Sequence, residues 1–588
     1  MSKIWLKGIQ VQNYRSFGET QSVVFPSKDF KKPVAIVGYN NAGKTNLLNA
    51  ILYGITEKYV TKNTFTRDDF HNRKIENVPS IIAGITSSAE TKFDGKTANL
   101  SGYHTLEITL DGQEIENARI QSYHDGEFSD ANRNFQAFGA SKYYKIFYIN
   151  FHEIKKEIST KKTSWGNLTS FLAKHIKSLV DADIEMNKKK GSFKEEVKIA
   201  TENILAESNL NDFIEKIRVN YSKNLRNDLC NIDFGLPDYE DIFLEMVFKV
   251  GLNGDAENLI PIEHFGDGYI SMFVMAVIQA IAETNQDEEC LFLFEEPESF
   301  LHENHQEYFY KMVLCDLASN NHQVIYTTHS DKMVDIFDTK GLIRLEFDET
   351  EKQTKVKYNR AKDDLKLGLS EGNIIEEIKD YNNYIKTIEP NLNKIIFSRK
   401  VVLVEGPNDM MVYKELIRKE VLKKTEDQQF ANSYLNFKNF VIIPHHGKIT
   451  ASILMKLCSH LGIDYFVISD FDFDEDFIEK LDFKTQEEYE ESLFYKEEIE
   501  HIEAYNSKGE ALSLKTKKAM ITTNWRLLNE SIQGQIHFNI PRLEELIGYG
   551  KYDKSSLGVW DSINRMTEIS PELFPEKLKD FLEINQLG

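Results

Sequence analysis

Six short, nearly wholly apolar runs, each closed by a glycine, an acid or a histidine, constrain this chain more than any other feature. They are PVAIVG (33–38), LFLFEE (291–296), QVIYTTH (323–329), VVLVEG (401–406), FVIIPHHG (440–447) and YFVISD (465–470). A strand apolar on both faces must be covered on both faces, so such runs imply parallel sheets flanked by helices, with functional groups gathered where the strands end. Helical patterns fill the intervals: Ile449, Ile453, Leu457 and Leu461 recur every fourth residue, and 269–282 is almost continuously apolar. The class is α/β.

The runs fall into two clusters, 1–345 and 398–588, joined by a polar stretch at 346–397 rich in Lys, Asp and Glu. Within the first cluster, 157–227 is charged, free of proline and helix-permissive. It reads as a helical insertion between 1–156 and 228–345, either a solvated hairpin or a dimerisation arm. With 71 Lys and Arg against 93 Asp and Glu, the 588-residue chain carries a net charge of −22, which argues against indiscriminate coating of nucleic acid or an anionic membrane. Local basic patches or bound divalent cations can reverse that sign, so DNA stays open as a substrate. Cys230, Cys290, Cys315 and Cys458 are too scattered for a zinc knuckle or a redox pair and suit a reducing cytoplasm. The opening residues lack the apolar core of a signal peptide, and the apolar stretch at 269–282 is too short to span a bilayer, so no membrane association is expected.

Gly38-Tyr39-Asn40-Asn41-Ala42-Gly43-Lys44-Thr45 fits GxxxxGK[ST] between an apolar strand and a helical pattern. The glycines let backbone N–H groups turn inward around phosphates, Lys44 reaches the β- and γ-phosphates, and the Thr45 hydroxyl holds Mg²⁺. Gly38, Asn40, Asn41, Gly43, Lys44 and Thr45 are therefore candidate ATP-binding residues. The strand 291–294 delivers two carboxylates to the same end of its sheet, Glu295 to support Mg²⁺ and Glu296 to polarise the attacking water. His329, closing the next apolar run, is placed to touch the γ-phosphate, although a lone histidine is more often plain structure.

A second constellation lies downstream. Glu405 ends the run 401–404, Gly406 allows a sharp turn, and Asp409 follows one helical turn later; Asp470, Asp472 and Asp474 alternate at another strand tip. Clustered carboxylates repel unless cations sit among them, and hard oxygen donors favour Mg²⁺ or Mn²⁺, two of which can activate water and stabilise a leaving oxygen. The bland alternative is an acidic surface loop. Gly447 and Lys448 could contact phosphate, and His445 and His446 could touch metal or substrate, but buried or solvated histidines are commoner.

The first set of motifs resembles the ABC-type ATPase heads of the RecF and structural-maintenance-of-chromosomes group: Asn13-Tyr14-Arg15-Ser16-Phe17 looks like their opening strand, EEPESFLH (295–302) their Walker B and D-loop, and TTHS (327–330) their switch histidine. That resemblance implies ATP sandwiched between two subunits, with Gly266, Asp267 and Gly268 as the signature loop facing the neighbour's phosphates. Asp267 stands where such heads carry serine, and Glu295 where they carry aspartate. The second set resembles the Toprim domain. An ABC-type P-loop ATPase domain with a helical insertion, followed by a C-terminal Toprim α/β domain, resembles the overcoming-lysogenization-defect (OLD) family of nucleases over nearly the whole chain. The resemblance implies two metals held by Glu405, Asp409, Asp470, Asp472 and Asp474, with a further acid and a lysine nearer the C-terminus; Glu544 and Lys554 match loosely.

Neither the tyrosine-bearing gate of a topoisomerase nor the Cys-rich module of a bacterial primase has room here, so nuclease is the surviving Toprim function. The expectation is a homodimeric, ATP-binding, metal-dependent DNA endonuclease, with a role in anti-phage defence and a partner protein or reverse-transcribed DNA–RNA element implied by resemblance. The rival is an ATP-gated DNA clamp whose acid cluster is structural.

Overall fold

The computed structural model describes residues 4–124, 145–151, 266–361, 383–549 and 555–587, apart from short gaps within them, and isolated positions between 185 and 264. The insertion expected at 157–227 lies almost entirely outside the described residues.

Three of the apolar runs form the centre of a six-stranded sheet ordered Gln353–Asn359, Leu342–Asp348, Val34–Val37, Gln323–Thr327, Cys290–Glu295 and Lys145–Asn150, parallel except at the Gln353–Asn359 edge. Every residue of the Val34–Val37, Cys290–Glu295 and Gln323–Thr327 strands is buried, as doubly covered strands require. Register pairs Ile36 with Thr327 and Thr327 with Glu295. The Gly38 loop, His329 and the two acids therefore leave the sheet along one edge.

Helix Lys44–Ile55 covers one face through Leu47, Leu48, Ile51 and Ile55, and each side chain contributes about 2 kcal/mol by its burial. On the helix's far side lies a second sheet, antiparallel, ordered Gln21–Val24, Ile4–Gln12, Ser80–Ser87, Gly102–Asp111 and Glu114–His124. Gly102–Asp111 alternates buried and half-buried positions because only one face of this sheet meets the core.

Two expectations change at the residue level. The opening strand is Ile4–Gln12, and Asn13–Phe17 is a turn instead: Asn13 and Arg15 take positive φ, and Phe17 N donates back to Tyr14 O. Residues 346–359, read as linker, continue the sheet through Leu342–Asp348 and its antiparallel partner Gln353–Asn359.

The other three runs enter a four-stranded, wholly parallel sheet ordered Phe440–Pro444, Lys400–Val404, Asp464–Asp470 and Ile536–Asn539. Helix Pro407–Thr425 packs on one face, and helices Lys448–His460 and Leu514–Glu530 on the other. The chain runs from Lys400–Val404 to one neighbour and crosses back to the other, so the crevice between the C-terminal ends of Lys400–Val404 and Asp464–Asp470 is the switch point where ligands of open α/β sheets bind.

The two sheets share a core. Tyr326, Val334 and Ile336 from the first pack in one cluster with Ile395, Val401 and Leu403 from the second. Buried Arg344 donates to the Ser398 and Gly462 carbonyls at 3.1 and 3.2 Å, and Asn393 Nδ2 donates to Asp331 O and Val334 O. Cys290, Cys315 and Cys458 are free thiols. Among the described residues no helix is long and apolar enough to cross a membrane.

Candidate functional site

The loop after Val34–Val37 is built as a phosphate cradle. Gly43 sits at φ 91°, where a Cβ would come within 2.5 Å of Thr354 Oγ1, and a Cβ on Gly38 would overlap the Leu345 carbonyl oxygen. Asn41 takes φ 66°, and Asn40 and Asn41 are both exposed at the loop tip. Lys44 opens the helix and is 5% exposed. Its Nζ donates to Gly38 O and Tyr39 O at 3.2 Å each and lies 3.5 Å from His329 Nδ1. Burial pulls the Lys44 ammonium down to about 8, against the opposing pull of Glu296 and Glu298. A desolvated cation in a ring of backbone groups fits a polyphosphate, which supplies the charge this lysine lacks. Thr45 follows in the first helical turn.

Glu295 and Glu296 divide into different environments. Glu295, 6% exposed, accepts from Tyr148 Oη at 2.5 Å and Asn150 Nδ2 at 3.0 Å. Glu296, at φ 45°, puts Oε1 3.3 Å from His329 Nε2, so the histidine bridges this acid and Lys44. Glu298 fixes the same turn by accepting from His329 N at 2.6 Å, and burial raises its carboxyl above the usual range. Gly266 precedes helix Asp267–Thr284, so Asp267 and Gly268 belong to its first turn; Gly266 is exposed with open space where a Cβ would stand, and the Asp267 side chain is outside the described residues.

At the second crevice, Glu405 Oε2 accepts from Ser469 Oγ at 2.9 Å and Asp470 N at 3.0 Å, which ties it to the neighbouring strand. Asp409 caps helix Pro407–Thr425: its Oδ2 accepts from Gly406 N at 3.2 Å, while its Oδ1 is buried without a partner. Asp470 Oδ1 accepts from Asn539 Nδ2 at 3.3 Å and Leu543 N at 3.0 Å. Glu544 is 5% exposed on the Leu543–Leu546 turn. Burial, then Glu405 and Glu544, push Asp409 up to about 7. Burial, then Glu405, Asp409, Asp472 and Glu544, push Asp470 well above the carboxylate range. These four acids are mutual neighbours, and Asp472 flanks them. Among the described residues, however, no three acids, histidines or cysteines are already closed around one ion position. Glu405 Oε2, Asp409 Oδ2 and Asp470 Oδ1 are turned to protein donors instead.

Asp472 differs from the rest because it is compensated. Its Oδ2 lies 2.8 Å from Lys448 Nζ and its Oδ1 2.8 Å from Arg542 Nε. Asp474 is not brought in: the Asp464–Asp470 strand ends at Asp470, Asp472 turns at φ 68°, and Asp474 is exposed. The alternation that placed three aspartates on one side fails at that left-handed residue. Lys554 lies outside the described residues. His445 is a structural group, buried with Nε2 3.3 Å from Ile468 O and Nδ1 accepting from Gly447 N, and burial lowers its pKa. His446 pairs with buried Glu389 at 3.3 Å.

Tyr148, Asn150, Glu298, Ser469, Asn539 and Arg542 complete the two sites without having been singled out as ligands or catalytic groups, and Lys448, expected as a phosphate contact, pairs with Asp472. Of these six only Glu298, inside EEPESF, carried a local signal. An all-oxygen donor set with a buried, unpartnered carboxylate oxygen fits a hard divalent cation and gives a soft metal no thiolate or imidazole.

Residues 5–334 match the AAA ATPase domain family, and residues 396–472 match the TOPRIM domain of proteins like the overcoming lysogenization defect protein. The chain is 22% identical over 484 residues to "OLD nuclease" of Thermus scotoductus, covering 79% of this chain and 82% of the relative. It is 22% identical over 502 residues to "Old nuclease" of Escherichia phage P2, with 80% and 77% covered. It is 23% identical over 435 residues to "Endonuclease GajA" of Bacillus cereus, with 70% and 67% covered. An AAA ATPase domain at one set of strand ends and a TOPRIM domain at the other, in that order, place this chain in the OLD family.

Proposed function

We propose that the chain is an ATP-binding endonuclease that cuts DNA at the acids of its TOPRIM half. The observation that carries this reading is the convergence of buried Asp409, Asp470 and Glu544 with Glu405 at the switch-point crevice, where burial and mutual repulsion raise the first two carboxyls. Glu405, Asp409, Asp470 and Glu544 would hold Mg²⁺ or Mn²⁺, and Asp472 would join them by exchanging Lys448 or Arg542 for the metal. Bound divalent ions supply a water nucleophile at neutral pH and neutralise the departing oxygen. Glu405, accepting from the Ser469 hydroxyl and the Asp470 N–H, locks the two acid-bearing strand ends together, and Lys448 and Arg542, once released, would face the phosphodiester's developing charge. Lys554 would add a further cation.

In the ATPase half, the Gly38 to Thr45 loop binds the triphosphate, Lys44 neutralises it, Glu295 supports the accompanying Mg²⁺, and Glu296 orients water while His329 reads the γ-phosphate. Gly266, Asp267 and Gly268 at a helix start would meet the triphosphate of a second copy, which makes a homodimer the working assembly. The protein acts in the cytoplasm, in phage defence, alone or with a partner protein or a reverse-transcribed DNA–RNA element.

Incubating purified protein with supercoiled plasmid tests this. Nicked or linear DNA should form with Mg²⁺ or Mn²⁺ and not with chelator. Retention of DNA without cleavage in either cation would favour a nucleotide-gated clamp.

A further inference from the structure

Helix Leu514–Glu530 reads LKTKKAMITTNWRLLNE, three lysines and an arginine against one glutamate, in a chain whose net charge is −22. Its faces have separate tasks. Ile521, Asn524, Trp525 and Leu527 are buried. Lys515, Lys518, Thr522 and Arg526, spaced three, four and four residues apart, line a cleft of about 890 Å³ whose opposite wall carries Glu405 and Asp472. The helix is rigidly indexed to the acids: Asn524 Nδ2 donates at 2.7 Å to the carbonyl of Phe471, the residue between Asp470 and Asp472. Trp525 stacks on Tyr489 with centroids 5.0 Å apart and donates to Phe483 O, and Glu530 pairs with Lys456 at 2.9 Å.

We propose that this helix is the track that seats the phosphate backbone of DNA beside the TOPRIM acids; the assignment rests on the nuclease reading above. Among the described residues the Lys515 and Arg526 side chains make no ion pair or hydrogen bond, and Lys518 sits 4.3 Å from the Tyr495 ring centroid, which leaves its ammonium hydrogens to a ligand. Lys517 is the contrast: it turns out of the cleft and donates to Glu500 O at 3.0 Å. From Lys515 to Arg526 the helix rises about 16 Å, which spans roughly five base-pair steps along the axis of a duplex. A line of cations at fixed spacing, ending at carboxylates that would repel an unneutralised polyanion, is the arrangement that draws a backbone in and leaves one phosphodiester over the acids.

The test is duplex binding in chelator, followed by anisotropy of a labelled DNA across a salt series, with the full chain carrying Lys515→Ala and Arg526→Ala together. Affinity should fall equally for unrelated sequences, and the slope of log K against log salt should become shallower by about 2, near 0.9 per lost contact. Lys517→Ala should match the wild type. Arg526→Glu alone, at a half-exposed position, gives the same reading if the double variant does not fold. Unchanged affinity and slope in a folded variant, or an equal loss in Lys517→Ala, would overturn the track. So would loss of binding to an acidic peptide with DNA binding intact. If the wild type never cuts plasmid yet the salt slope still shifts, the track stands and the nuclease reading falls.

Discussion

The two strand-end sites are near mirror images in charge. In the ATPase half, a buried cation is the uncompensated group: Lys44 is pulled down to about 8 by desolvation, and the acids around it are already held, Glu295 by Tyr148 and Asn150, Glu296 by His329. In the TOPRIM half, buried acids are the strained groups: burial and mutual repulsion push Asp409 up to about 7 and raise Asp470 well above the usual carboxylate range, while Lys448 and Arg542 pair with Asp472. Each site thus makes its own charged form costly and suits a ligand of opposite sign, which in the proposed function is polyphosphate in one and divalent cations in the other. The same strand-end architecture serves both because a parallel sheet delivers its functional side chains to one edge whatever their sign.

The sharpest separation of the two sites is mutational. Asp470→Ala should reduce plasmid cleavage about a thousandfold or more, the loss of several kcal/mol of charge stabilisation, while ATP affinity stays at the wild-type value. Cleavage assays paired with nucleotide titrations check this, and a joint loss of both would mean that the halves are not separable. Glu296→Gln should leave ATP binding intact and slow hydrolysis about a hundredfold or more, the usual weight of a group that positions the attacking water. Phosphate release under single-turnover conditions measures it. Unchanged hydrolysis removes Glu296 from that role.

Smaller effects probe the charge logic itself. Lys44→Ala should weaken ATP binding about 100-fold, near 3 kcal/mol. Because the free protein holds Lys44 at about 8 and bound phosphates favour the ammonium, binding takes up a proton above that pH. ATP affinity should therefore be flat below about pH 8 and fall by up to tenfold per pH unit above it. The decline should vanish in Lys44→Ala; calorimetry in buffers of different ionisation enthalpy reads the proton directly. Asp474→Ala should change cleavage by less than about twofold, the range of an exposed surface substitution. A large loss would show that the loop after Asp470 rearranges to bring it inward.

Much of both sites was legible because their chief residues follow apolar strands in sequence: Lys44 after Val34–Val37, Glu295 and Glu296 after 291–294, Glu405 after 401–404, Asp470 at the end of 465–470. Strand alternation was extended too far at Asp474, since nothing local announces that Asp472 adopts a left-handed turn. The supporting groups were hidden for a different reason. Tyr148 reaches Glu295 across 147 residues, and Arg542 reaches Asp472 across 70, so their meeting is a property of strand order and not of neighbouring sequence. The antiparallel sheet escaped notice because its strands, covered on one face, alternate with polar residues and lack the continuous apolar runs that mark the parallel ones. Glu544 was placed from family resemblance, and its burial beside Asp409 and Asp470 puts it in the crevice.

Manganese uptake by the full chain without nucleotide, followed by electron paramagnetic resonance, tests the mirror relation most directly. Wild type and Lys44→Ala should bind Mn²⁺ alike, and Asp470→Ala should lose that binding while keeping its affinity for ATP. Equal Mn²⁺ uptake by wild type and Asp470→Ala, or none by the wild type, would contradict the assignment of the TOPRIM acids as a cation site.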